Sequence, residues 1–305
     1  MNKIYKYMAW RPEFFDGFYL RASQRGVLND PFEFNPAFDL GEQFVALRKD
    51  ETFNRELNRF SSDLKFNDVG VISFTENHNN LLMWSHYADQ HKGVVVEFDY
   101  RKLEAYFNNR FSMESSIARV LYNRERCSSL LEDVCLKDFL LTKSDDWLYE
   151  KEHRVLAHLI HADKLVVNAM LYKSLHEFYS GDYKRLFTKE CACVEKGTVT
   201  IRLNAKYIKL LDDCFADGSS TDDCEEKELT ESQAVIYDFY YGFLKDPSTM
   251  LLFKMPEDSV TAVYLGCRFI EQDVTSLMTK INNKNIKVFR AKPSETLFSL
   301  DFCKI

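Results

Sequence analysis

The chain reads as a mixed α+β fold with strands and helices interleaved, and three observations carry that expectation. Short strand-like runs recur along its length, among them Tyr5-Lys6-Tyr7, Val69 to Phe74, Val94 to Phe98 and Val263-Tyr264-Leu265. Between them, apolar residues return at three- and four-residue spacing, as a helix with one buried face requires. The composition is 46% hydrophobic and 14% aromatic over 305 residues, with only 10 Gly and 6 Pro, so a large core is available and linker-dominated organisation is excluded. Many short strands interleaved with helices fit one α+β domain over 1–305, interrupted by an acidic loop at about 216–231.

Taken in order, residues 3–8 and 17–22 predict strands, with Arg11-Pro12 and Asp16-Gly17 marking the turn between them. Residues 39–63 predict a helix through Phe44, Leu47, Phe53, Leu57 and Phe60. A buried strand at 69–74 ends in Ser73-Phe74-Thr75, and a short aromatic helix follows over 79–88. His91-Lys92-Gly93 closes that helix with a cation and a glycine, both ordinary stop signals. Strands at 94–98 and 118–122, a helix at 127–143 and a strand through Glu150-x-Glu152 come next. Beyond a helical region near 163–188, strands are expected at 191–194 and 198–203. The end of the chain predicts strand 260–265, helix 271–282, strand 286–290 and a last strand near 297–302.

Several function classes are disfavoured by composition. A net charge of −7 offers no general electrostatic footprint for nucleic acid. No stretch approaches the roughly 18 consecutive apolar residues of a membrane span. The first residues lack the apolar segment of a secretion signal, so a cytoplasmic protein with reduced thiols and no membrane association is expected. The 8 Cys form no Cys-x-x-Cys pair, Cys191-x-Cys193 is a weak metal signal alone, and His153, His158 and His161 share no strand face. No metal centre is therefore expected. Phosphate-loop, dinucleotide-fold and serine-nucleophile glycine motifs are missing as well.

The segment that speaks most directly of chemistry is Trp147-Leu148-Tyr149-Glu150-Lys151-Glu152-His153-Arg154. On a strand, the period of two puts Glu150, Glu152 and Arg154 on one face. Two carboxylates beside a guanidinium suit work on a sugar or phosphate, one steadying developing positive charge and the other handling a proton. A solvated strand face neutralised by its own arginine has the same spacing. Ser73 and Thr75 share a face when extended, and their hydroxyls could fix a ribose or a glutamate rotamer, or simply mark a strand leaving the core. Trp84, His86 and Tyr87 are candidate ring-binding residues on the short helix, or ordinary packing around it.

The order of these motifs resembles a bacterial family known as a domain of unknown function. Tyr5-Lys6-Tyr7, Asn29-Asp30-Pro31-Phe32-Glu33, Ser73-Phe74-Thr75, Met83-Trp84 through Tyr87-Ala88 to His91 and Gly93, Trp147 to Arg154, and the closing Val263 to Gly266 carry that likeness. More distantly, the chain is similar to ADP-ribosyltransferases of the Arg-Ser-Glu type: a basic first strand, a Ser-Thr-Ser-like strand, then Glu-x-Glu. Here Lys6 or Tyr7 stands at the first position, Phe74 replaces the middle Thr, and Glu150 and Glu152 form the pair.

That resemblance implies split mixed and antiparallel sheets with flanking helices, and NAD as the substrate. Glu152 and Glu150 would be catalytic, with Lys6, Tyr7, Ser73, Phe74, Thr75, Trp84, His86, Tyr87 and Arg154 around the dinucleotide. It implies transfer of ADP-ribose to a macromolecular acceptor, protein or nucleic acid, as a toxin or antiphage effector that a neutralising antitoxin restrains. Two other readings stand beside it. One is a Mg-dependent nuclease using Glu150, Glu152 and Asp30; the other is a non-enzymatic ligand-binding module built on 83–91.

Overall fold

The computed structural model describes residues 1–34, 69–111, 116–126, 140–178, 187–193, 196–203, 242–244 and 246–305. The expected helix at 39–63, most of the one at 127–143 and the acidic stretch at 216–231 lie outside the described residues.

In chain order the strands are β1 (Lys3–Met8), β2 (Tyr19–Ala22), β3 (Val69–Thr75), β4 (Val94–Asp99), β5 (Ile117–Arg119), β6 (Leu121–Asn123), β7 (Thr142–Ser144) and β8 (Glu152–His158). There follow β9 (Lys164–Asn168), β10 (Phe187–Cys193), β11 (Thr198–Leu203), β12 (Met250–Lys254), β13 (Val260–Leu265), β14 (Lys287–Pro293) and β15 (Leu300–Lys304). The helices are α1 (Phe14–Gly17), α2 (Leu81–Tyr87), α3 (Tyr100–Phe111), α4 (Ala169–Phe178) and α5 (Glu271–Ile281). No helix among the described residues is long and apolar enough to cross a membrane.

The fold is mixed α/β. An 8-stranded mixed sheet runs β15-β14-β13-β4-β1-β3-β8-β5, and a 5-stranded antiparallel sheet runs β10-β11-β9-β12-β2. Only β13 and β14 are parallel neighbours in the large sheet, and α5 makes the crossover that parallel pairing requires. β4 sits at its centre, and its residues Val94 to Phe98 are all buried, which explains the unbroken apolar sequence Val94-Val95-Val96.

Alternation along the strands builds two apolar layers. Ile4, Ile72, Phe74, Val94, Val96 and Phe98 enter the main core, while Tyr5, Tyr7 and Val95 face a second cluster around Trp84 and Tyr264. Among the described residues one backbone bridge joins the two sheets, where Ser23 and Val71 exchange bonds of 2.8 and 2.9 Å, and the main core packs between them.

One discontinuity positions everything that follows. β1 pairs with β4 from Lys3 to Met8, and β3 pairs with β8 from Val69 to Thr75. Between β1 and β3 the ladder has one registered pair, Tyr5 with Thr75. The large sheet therefore parts there.

The link from α2 to β4 is tightly wound. Asp89, Gln90 and His91 have φ values of 45, 53 and 70°, three consecutive residues in the left-handed region that L side chains disfavour. Backbone bonds from the Gln90, His91 and Gly93 N–H groups to Ser85, Trp84 and Ala88 hold the turn. It packs against Gly266, where an added Cβ would stand 2.0 Å from the His91 carbonyl oxygen. Gly266→Ala is accordingly expected to lower stability by about 1–3 kcal/mol through backbone displacement, read as a fall in thermal midpoint.

Several expected elements change shape. Glu150 is not on the strand: it ends a 3-10 turn over 145–150, and β8 starts at Glu152. Residues 142–144, read as helix, form β7, because the leucine spacing before them stops short of Thr142-Lys143-Ser144. The 118–122 strand is two short ones, β5 and β6, in different sheets. The 163–188 region opens as strand β9 before α4, since Val166-Val167 pairs with β11. Helix α3 and strand β12 were not anticipated at all.

A candidate active site where the sheet parts

A cavity of about 220 Å³ lies beside the opening between β1 and β3. Its lining includes Lys6, Tyr7, Ser73 and Thr75 from the two parted strands, and Tyr87, Glu150 and Glu152 from later segments. Residues more than 140 positions apart in sequence thus border one space. Asn29, Glu33 and Lys143 complete its polar wall.

Local structure explains how Glu150 arrives there. Ser144 caps the 3-10 turn by accepting from the Asp146 N–H at 3.4 Å. At the other end Lys151 adopts a left-handed φ of 44°, turning the chain into β8. The Thr75 hydroxyl donates to the Glu150 carbonyl at 2.5 Å, and the Asn80 amide donates to the Tyr149 carbonyl at 3.1 Å. Asn80 is also the N-cap of α2, accepting from Leu82 and Met83, so one side chain fixes both the helix and the turn.

The ionic groups form one buried network. Arg154, 1% exposed, donates from Nε and Nη2 to the two oxygens of Glu152 at 2.8 Å each, to Glu33 at 2.7 Å, and from Nη1 to the Leu140 carbonyl at 2.7 Å. Lys143 Nζ stands 2.7 Å from Glu150, 2.9 Å from Glu33 and 3.4 Å from Glu152. The Trp147 ring covers that ammonium at 4.6 Å. Three carboxylates thus share two cations in a buried setting, where a charge persists only if it is paired and hydrogen-bonded.

The two glutamates of the pair end in opposite electrostatic states. Burial opposes ionisation of Glu152, but Arg154, Lys143 and a hydrogen bond from Ser73 outweigh it and hold its pKa at about 2. For Glu150, burial prevails over Lys143 and Tyr87, and with the repulsion of Glu152 its pKa is raised. Divergent pKa values in one carboxylate pair separate a permanent anion from a group able to take and return a proton. Tyr87 donates a short hydrogen bond to Glu150 and is itself bonded to Asn29; burial and then Glu150 push its phenol well above the usual range. Removing that hydroxyl in Tyr87→Phe is expected to raise the Glu150 pKa further and cost about 1–2 kcal/mol at pH 7, seen by NMR titration of the carboxyl and by thermal unfolding.

The remaining expected site residues divide. Lys6 donates to the Ser73 carbonyl at 2.7 Å, and Tyr7 borders the cavity while its hydroxyl accepts from the Asn80 N–H. Phe74 borders the cavity too, yet its ring packs in the core against Phe98. Trp84 does not line the space: it is fully buried, donates to the His78 carbonyl at 2.8 Å and packs edge-on against Tyr7. His86 is exposed and away from the cavity lining. Arg154 stands behind Glu152 rather than on the wall.

Sequence reasoning missed Lys143 and gave Glu33 no role. Lys143 carried no motif signal, whereas Glu33 closed the Asn-Asp-Pro-Phe-Glu run. Asp30 of that run is buried, with one carboxylate oxygen accepting from the Phe32 N–H, and does not line the cavity. Among the described residues no group of three or more His, Cys, Asp or Glu side chains is arranged to hold a metal ion. An ammonium occupies the point where Glu33, Glu150 and Glu152 converge, which is the position a divalent cation would need.

A protein-family description, "Protein of unknown function (DUF2971)", matches residues 83–155. That stretch includes Tyr87, Lys143, Glu150, Glu152 and Arg154. No curated protein and no solved structure matches the chain.

Proposed function

We propose that the cavity receives the nicotinamide–ribose end of NAD, and that the protein transfers ADP-ribose to a macromolecular acceptor in the cytoplasm. The observation that carries this reading is the meeting of a basic first strand, the Ser73-Phe74-Thr75 strand and the Glu150–Glu152 pair on one cavity. A parted mixed sheet is in keeping with the split-sheet architecture of ADP-ribosyltransferases. The space suits one ring and one sugar rather than a whole dinucleotide, so the adenosine half would lie outside it.

In this reading the C–N bond between ribose and nicotinamide breaks, and neutral nicotinamide leaves with the bonding pair. The ribose carbon becomes oxocarbenium-like, and the fixed charge of Glu152 stabilises it. Such stabilisation acts mainly in the transition state, which is what raises rate. An acceptor lone pair then forms the new bond, and the acceptor proton passes to Glu150. Because Glu152 already accepts from Arg154, Lys143 and Ser73, it acts as an oriented charge rather than as a free acceptor. Tyr87 supplies the aromatic edge bordering the ring position. The stretch that the family description matches, residues 83–155, holds both glutamates together with Lys143 and Arg154. An antiphage or toxin role, restrained by an antitoxin, belongs to the same proposal.

Incubation with labelled NAD and cell lysate tests it. Nicotinamide release together with a labelled acceptor supports the reading. Neither product from the parent protein, with intact folding, removes it.

A further inference from the structure

The cavity holds two lysines in opposite circumstances. Lys143 is locked among three carboxylates, and burial's tendency to neutralise it is overcome by Glu152, Glu33 and Glu150, which raise its pKa. Lys6 faces the same space from β1, but among the described residues no carboxylate stands within ion-pair distance of its Nζ. Its hydrogen bond runs to a neutral acceptor, the Ser73 carbonyl, at 2.7 Å. Lys6 is thus an amine at the parting of the sheet, oriented by a backbone oxygen and bordered by carboxylates that it does not touch.

We propose that Lys6 is a nucleophilic amine of this cavity, which condenses with small hydroxyl-bearing aldehydes, such as open-chain sugars, to form an imine. The lone pair of Nζ attacks the carbonyl carbon, a C–N bond forms, and the carbonyl π pair moves to oxygen. That oxygen takes up the proton nitrogen loses, and the carbinolamine then expels water to leave the imine. Glu150, whose pKa is raised, faces the same cavity and can deliver the proton that lets water depart. Glu33 lies on the wall as an acceptor for sugar hydroxyls.

The electrostatics agree with the geometry. Burial lowers the Lys6 pKa to about 8, Glu152 opposes that shift, Arg11 adds to it, and Glu150 opposes it again. At pH 7 about a tenth of the amine is then neutral, against about one part in two to three thousand for an ordinary lysine. Desolvated lysines with depressed pKa values are the ones that serve as imine-forming groups.

This inference goes beyond the ADP-ribosyl reading and needs no dinucleotide, so either one survives the failure of the other. The native protein is treated at pH 7 with limiting glyceraldehyde and sodium cyanoborohydride, whose hydride reduces the imine to a stable amine. Peptide mass mapping then ranks the lysines, with the Met1 amine scored separately. Lys6 is expected to react about tenfold faster than exposed lysines such as Lys92. That advantage should fade near pH 10.5 and vanish in urea, and Lys6→Arg should remove the adduct while leaving labelling elsewhere unchanged. Labelling of Lys6 no faster than Lys92 at pH 7, or a preference that persists unaltered at pH 10.5, overturns the proposal.

Discussion

Arg154→Met is expected to remove a large share of the protein's stability at neutral pH. The methionine keeps much of the side-chain volume, so the loss is electrostatic. Glu33 and Glu152 lose their shared guanidinium, and Lys143 alone faces three carboxylates. Breaking a buried ion pair from one side costs about 3–5 kcal/mol, a large share of the roughly 5–15 kcal/mol that a domain possesses. The pH dependence separates this from a packing defect. In the parent, Glu152 has a folded pKa of about 2, below its unfolded value, so its stabilisation is complete above the unfolded pKa near 4.3 and is lost as pH falls toward 2. In the variant the orphaned carboxylates have raised folded pKa values, so their contribution is greatest at low pH and is lost as pH rises. Between pH 7 and 5 the variant should therefore gain more midpoint temperature than the parent, in which Glu150 is the carboxylate of this network with a raised pKa. Thermal melts across that interval decide it, and a pH-independent deficit contradicts the argument.

Glu150→Gln carries the largest expected effect on turnover. The amide retains the shape of the side chain, with its oxygen free to accept from Lys143 and its NH2 to donate to the Tyr87 hydroxyl, so the fold should survive. What disappears is the ability to take a proton, a change worth about 10²–10⁴ in rate for a general base. In the parent, Glu150 works only when ionised, and its raised pKa predicts that kcat/KM falls as pH drops through that value. The glutamine variant should lose that limb of the profile along with the rate. Comparable NAD turnover in parent and variant would assign Glu150 to structure alone.

Much of the architecture was legible because local pattern and tertiary demand agreed. Val94 to Phe98 reads as a buried strand and is one, and α5 between β13 and β14 follows from spacing and length. Legibility failed where long-range pairing decided the outcome. Thr142-Lys143-Ser144 has no strand signature; it is extended because β6 pairs with it. Glu150 was foreseen at the site but on the wrong element, since a left-handed residue at 151 achieves what strand alternation was expected to do. Trp84 misled for a physical reason: a tryptophan beside functional residues looks like a ring platform, yet its N–H is satisfied by the His78 carbonyl and its faces are packed. Lys143 could not be foreseen, because a lone lysine becomes informative only once three distant carboxylates surround it.

The single backbone pairing across β1 and β3 has a mechanical consequence. Glu152 rides on one leaf, formed by β3, β8 and β5, while the tyrosines of β1 ride on the other with β4, β13, β14 and β15. Below the opening the leaves share one apolar core, in which the Phe74 ring of β3 meets the Phe98 ring of β4 at 5.6 Å, so the gap is a fixed slot and not a loose seam. Substitutions at this pairing would reach the acids at once, because Thr75 stands opposite Glu152 on β8 and Tyr5 opposite Glu97 on β4.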